Sequence, residues 1–164
     1  MSLRSPLAVE CRVDTRDAVP SQLLLRRWAR AALGARGAGR EMALSTVGAA
    51  RMRSLNRRYR GKDKPTNVLS FPAPPHAVAQ GAGPRPLGDV VICPVVLRRE
   101  AREQGKAERA HWAHLVVHGT LHLAGYDHEV ESDARRMERR EIAVLRTLGF
   151  GNPYLLAASR GARR

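Results

Sequence analysis

The residue types and spacing in His118-Gly-Thr-Leu-His122-Leu-Ala-Gly125-Tyr-Asp-His128 could do metal chemistry. His118 and His122 are four apart, so on a helix they project from one face about one turn from each other. Gly125 can take the left-handed conformation that ends a helix and turns the chain back across that face. His128 follows three residues later, where a returning loop could set it beside the other two. Three neutral imidazoles converging in this way suit one Zn2+ per chain and leave a fourth position for water. Zinc held so lowers the pKa of that water to near neutrality, making hydroxide available at physiological pH. The competing explanation is a buried helix whose histidines merely satisfy one another. Two on one face, a helix-ending glycine and a third at the right distance favour the metal.

The offsets match the His-Glu-x-x-His-x-x-Gly-x-x-His spacing of the metzincins. The second position departs from that pattern, since Gly119 stands where those proteases carry their glutamate general base. Glycine has no side-chain proton acceptor, so the protease route is unavailable while the metal set survives. The general base is then either the zinc-bound hydroxide or Asp127, for which orienting the neighbouring ligand His128 is the other role. His114 shares a face with His118 and reads as a core or supporting residue, because helical positions eight apart are separated by about 12 Å. His111 lies one turn further upstream, and His76 reads as solvated in a loop.

The elements that would position these groups can be read from periodicity. Alternation over Leu7–Val13 predicts a strand, and Pro20 to about Leu33 a helix with Leu24, Leu25 and Trp28 on one side. Met42–Val47 predicts a second strand, Ala50 to about Arg58 a short basic helix, and Val68–Phe71 a third strand. The Pro-, Gly- and Ala-rich stretch 73–87 reads as a flexible loop, and Asp89–Cys93 as a strand buried on both faces. Helices follow at Pro94 to Gln104, at Glu108 to Ala124 (apolar nearly all round) and from Ser132, where Ala134, Met137, Val144, Leu145 and Leu148 are the expected buried side. Strands first and helices later predict an α+β fold: a small mixed β-sheet packed against helices, with a zincin-like metal helix. At 164 residues the chain reads as one domain, ending in a loose Arg-rich tail.

Composition narrows the partners. The net charge is +14, a field that attracts polyanions such as RNA. Of the 29 basic residues only Lys62, Lys64 and Lys106 are lysines, and such a bias can also arise from codon composition alone. Cys11 and Cys93 form no CxxC pair and read as buried small hydrophobes in a reducing compartment. No apolar run is long enough to span a bilayer, and Met1–Pro6 lacks a signal-peptide core, so a cytoplasmic protein is expected.

A second group of residues carries a resemblance. Leu55-Asn56-x-x-Tyr59-Arg60-x-Lys62-Asp63-x-Pro65-Thr66-x-Val68-Leu69-Ser70-Phe71-Pro72, Leu87-Gly88-Asp89 to Pro94, and the His118–His128 segment follow one another in order and spacing. Over roughly residues 42 to 150 the chain resembles the YbeY family of bacterial ribosomal-RNA maturation endoribonucleases. Asn67 departs from it, since the family usually has aspartate there, which bears on a local hydrogen bond or turn. The resemblance implies zinc on the three histidines and a functionally important arginine at Arg60. It also implies processing of ribosomal RNA, especially the three-prime end of the small-subunit RNA, ribosome quality control, and ribosomal or ribosome-associated protein partners. An arginine suits that chemistry, because its planar fork can hold two phosphoryl oxygens as charge gathers on them. Two other readings stay open: an RNA-binding assembly factor whose zinc is structural, and a zinc hydrolase of small molecules, which would need a deep enclosed pocket.

Overall fold

Four strands form one sheet in the computed structural model, which describes residues 4–74 and 83–155. In chain order they are β1 (Ala8–Asp14), β2 (Arg40–Val47), β3 (Val68–Pro72) and β4 (Arg85–Ile92), arranged β1-β2-β4-β3. β1 is parallel to β2 and β2 to β4, whereas β3 lies antiparallel to β4 at the edge. The helices are α1 (Gln22–Leu33), α2 (Ala49–Arg60), α3 (Pro94–Glu103), α4 (Glu108–Leu123) and α5 (Glu131–Thr147), with a 3-10 turn over Gly34–Gly37. The architecture is the α+β one expected, a mixed sheet with helices packed on it.

The two-residue period of a strand gives each face of the sheet its own partners. On one face Val9, Met42, Leu44, Val90 and Ile92 join apolar residues of α1, α4 and α5 in the main core. On the other, Val47, Leu69, Val91 and Cys93 pack on Met52 of α2 and Val96 of α3. β4 is therefore buried on both faces, which is why its Val90-Val-Ile-Cys93 run does not alternate. It also begins at Arg85, inside the stretch expected as loop. Backbone pairing recruits these residues: Arg85 N–H donates to Gly39 O at 3.0 Å and Ala73 N–H to Leu87 O at 2.8 Å. Gly88 permits the close approach of β3, because at its φ of +131° a Cβ would lie 2.1 Å from the Phe71 carbonyl oxygen. Residues 75–82, with His76, and the Arg-rich end lie outside the described residues.

α4 packs on β3, β4, α1, α3 and α5 and is buried on nearly every side. Where it crosses the sheet, Gly119 faces inward. A Cβ there would stand 2.7 Å from Val90 Cγ1 and 3.3 Å from both Ser70 Oγ and Val68 Cγ2. Ser70 Oγ–H donates to the Gly119 carbonyl at 2.9 Å, joining β3 to the helix. The position that holds a glutamate in the metzincin pattern is thus a packing contact here. Gly119→Ala is expected to destabilise the protein by about 1 kcal/mol. Overpacking costs about 1–3 kcal/mol, against about 1 kcal/mol gained in helix propensity. Val90 is fully buried and β-branched, so its stiff side chain gives way only at a cost. The urea midpoint reads this directly, and a stabilised variant would show that the crossing has room.

Candidate metal centre

The end of α4 sets the geometry. Gly125 N–H donates to His122 O and Tyr126 N–H to Leu121 O, both at 3.1 Å, with Gly125 at a φ of +97°. This is the paired Schellman pattern that reverses a chain at a helix C-terminus. Tyr126 then anchors the returning loop. Its hydroxyl accepts from Arg36 Nη1 at 2.9 Å, and the guanidiniums of Arg36 and Arg136 lie 5.5 and 5.7 Å from its ring centroid. Asp127 Oδ1 accepts the His128 backbone N–H at 2.7 Å, so the carboxylate shapes the loop beside the histidine.

His118, His122 and His128 are brought together, with a ring nitrogen from each within 4.8 Å of the others. The Nε2 atoms of His118 and His122 are 3.2 Å apart. Nitrogens bound at about 2.0–2.1 Å around a tetrahedral ion stand about 3.3–3.4 Å apart, so this separation is that of co-ligands. His118 Nδ1 lies 2.8 Å from Glu141 Oε1. An ionised carboxylate can only accept, so Nδ1 carries the proton and Nε2 presents its lone pair inward. Burial first, and then the neighbouring His118 and His128, lower the pKa of His122 and keep it neutral. Three nitrogen donors of this spacing fit zinc.

Glu141, missed by the sequence reading, is fully buried between α4 and α5. Its Oε2 accepts from His114 Nε2 at 2.7 Å and from the Tyr154 hydroxyl. Burial pushes its carboxyl up, but the hydrogen bonds from His114 and His118 outweigh that and hold it at about 2. Burial lowers His114 despite the carboxylate, and it raises the Tyr154 phenol, with Glu141 adding to the rise. His114 thus stands beside the cluster, hydrogen-bonded to Glu141 and edge-to-face with the His118 ring at 6.0 Å, as a buried neighbour of the three histidines. His111 is also buried, with Nε2 3.7 Å from Glu100 Oε2. The readable signal for Glu141 was a charged residue inside the apolar stripe of α5, between Met137 and Val144. Tyr154, beyond the last helix, gave no such signal.

The three histidines line an open groove of about 580 Å³, and Arg60 and Asn67 line the same groove. Arg60 is the last residue of α2, after which Gly61 turns the chain toward β3. That connection is held by buried Asn56, whose Nδ2 donates to Lys64 O at 2.8 Å, and by the Arg53–Asp63 pair at 2.9 and 3.0 Å. Arg60 is exposed, and no carboxylate pairs with it among the described residues. Asn67 Oδ1 accepts the Val68 N–H at 2.6 Å, and Nδ2 donates to Glu100 Oε2 at 3.2 Å. An ionised aspartate could make the first bond but not the second, so the departure at this position adds a tie to α3. Among the described residues, no helix is long and apolar enough to cross a membrane.

Comparison with known proteins gives one family. Residues 14–149 match the family model described as "Endoribonuclease YbeY". A protein of that name from Methylococcus capsulatus is 53% identical over 138 residues, 84% of this chain and 89% of the relative. Another, from Alkalilimnicola ehrlichii, is 51% identical over 155 residues, 92% of this chain and 91% of its own length. The solution structure of TM1509 from Thermotoga maritima superposes with a TM-score of 0.56 at 23% identity, covering 90% of this chain and 99% of that one. That likeness is one of fold.

Proposed function

The chain belongs to the YbeY endoribonuclease family, and from that premise we propose that it is a single-zinc endoribonuclease holding its metal on His118, His122 and His128. The observation that carries the reading is the groove itself, lined both by three converging imidazoles and by the Arg60 guanidinium, which has no carboxylate partner among the described residues. Zinc bound there would supply a Lewis acid and a water of near-neutral pKa. The protein's own contribution is positional. His118 and His122 present lone pairs from a rigid helix, and the Tyr126 anchor with the Asp127 bond delivers His128 from the loop. Arg60 would take two phosphoryl oxygens in its planar fork and steady the charge that gathers as the phosphodiester bond is cut. A groove open to solvent admits a polymer strand, whereas a small-molecule hydrolase calls for an enclosed pocket.

The substrate we assign is ribosomal RNA, in particular the three-prime end of the small-subunit RNA. Ribosomal or ribosome-associated proteins would be partners, in the cytoplasm, with a part in ribosome quality control. The support is the family resemblance together with the +14 charge, which favours polyanions.

The test is metal analysis of the full chain purified without chelator, paired with cleavage of structured ribosomal RNA. One zinc per chain is expected, with cleavage lost on chelation and regained when zinc alone is restored. Activity that survives complete metal removal would overturn the mechanism. Zinc and RNA binding without cleavage would leave the assembly factor with a structural zinc.

A further inference from the structure

Glu141 is the one buried carboxylate among the described residues, and packing gives no reason for it. A leucine or methionine would fill the α4–α5 interface without the cost of desolvating a charge. Both of its oxygens are instead engaged: Oε1 with His118 Nδ1 at 2.8 Å, Oε2 with His114 Nε2 at 2.7 Å and with the Tyr154 hydroxyl. His114, His118 and Glu141 also stand close enough to suggest a metal group of their own. Distances of 2.7 and 2.8 Å are hydrogen bonds, however, shorter than the roughly 3.3 Å that two ligands keep around one tetrahedral ion.

We propose that Glu141 is a positioning residue for the metal centre, acting through His118. By accepting the Nδ1–H it fixes which nitrogen of His118 is bare, locks the ring plane and strengthens Nε2 as a donor. His114 and Tyr154 hold the carboxylate so that its other oxygen stays aimed at His118. The arrangement places a charged group beneath the site, one layer away from anything RNA can touch. This inference rests on the reading that zinc binds the three histidines.

The experiment is a zinc competition titration of the full chain against a chromophoric chelator, with the Co2+ absorption spectrum as a second readout of ligand geometry. Glu141→Gln keeps the shape but removes the charge and sets an amide N–H2 against one of the two histidines. Zinc affinity is expected to fall about 10- to 100-fold, the usual effect of losing such a partner, and the Co2+ bands to shift. Tyr154→Phe leaves the His118 contact in place and is expected to weaken zinc much less. Should Glu141→Gln fail to fold, His114→Leu removes a donor that anchors Oε2 while His118 stays intact, and a smaller fall in affinity is expected there. A folded Glu141→Gln that binds zinc as the wild type does, even with a lowered unfolding midpoint, overturns the proposal alone. A wild type that takes up no zinc overturns the three-histidine reading and this proposal together.

Discussion

His122→Ala is expected to abolish stoichiometric zinc binding, and cleavage with it, while the protein stays folded. Structural zinc sites in small domains contribute about 10–16 kcal/mol over four ligands, so one ligand accounts for about 3 kcal/mol. That is more than a hundredfold in affinity. The fold has little to lose in exchange. His122 is half-buried, and its Nε2 lies 3.2 Å from Nε2 of His118, a ring that is itself partly open to solvent. Alanine therefore leaves no buried partner unsatisfied, and it is the better helix former. The measurements are elemental analysis after gel filtration, far-ultraviolet circular dichroism and RNA cleavage on the same preparation. A folded variant that retains one zinc per chain would remove His122 from the site.

What could be read without a structure follows from the range of the interactions involved. The exit of α4 was legible because the histidine spacing, Gly125 and the loop to His128 are local, and the Schellman hydrogen bonds lie within Leu121 to Tyr126. β4 as a doubly buried strand was legible from an unbroken apolar run. Its first residues were not, because Arg85 and Pro86 pair with Arg40 and Glu41 through backbone groups that leave no mark on side-chain pattern. Glu141 meets His118 across 23 positions and His114 across 27, a tertiary relation that no helical period encodes. Gly119 was read as the loss of a base, and its cause lies in three-dimensional packing against Val90, Val68 and Ser70. Arg60 could not be separated from the other arginines by composition; the motif around it singled it out, and it lines the same groove as the histidines.

Arg60→Ala is expected to cut the rate of RNA cleavage by about two to three orders of magnitude, the scale for deleting one donor aimed at developing charge. Arg60 has little part in holding the fold together. It is exposed and without a carboxylate partner among the described residues, so its loss should change stability by no more than about 0.5 kcal/mol. Its sequence neighbours Arg57, Arg58 and Lys62 are also exposed, so non-specific attraction for RNA survives. The loss should therefore fall on kcat far more than on KM, with zinc content unchanged. Arg60→Lys should recover only part of the rate, because a single ammonium cannot span two phosphoryl oxygens as the guanidinium fork does. All variants need one fixed salt concentration, since phosphate contacts weaken steeply with ionic strength and would otherwise masquerade as a change in KM. If Arg60→Ala instead cleaves at the wild-type rate with zinc in place, charge stabilisation by Arg60 is not part of the reaction. The unpaired guanidinium would then serve only to hold RNA, which is what an assembly factor with a structural zinc requires.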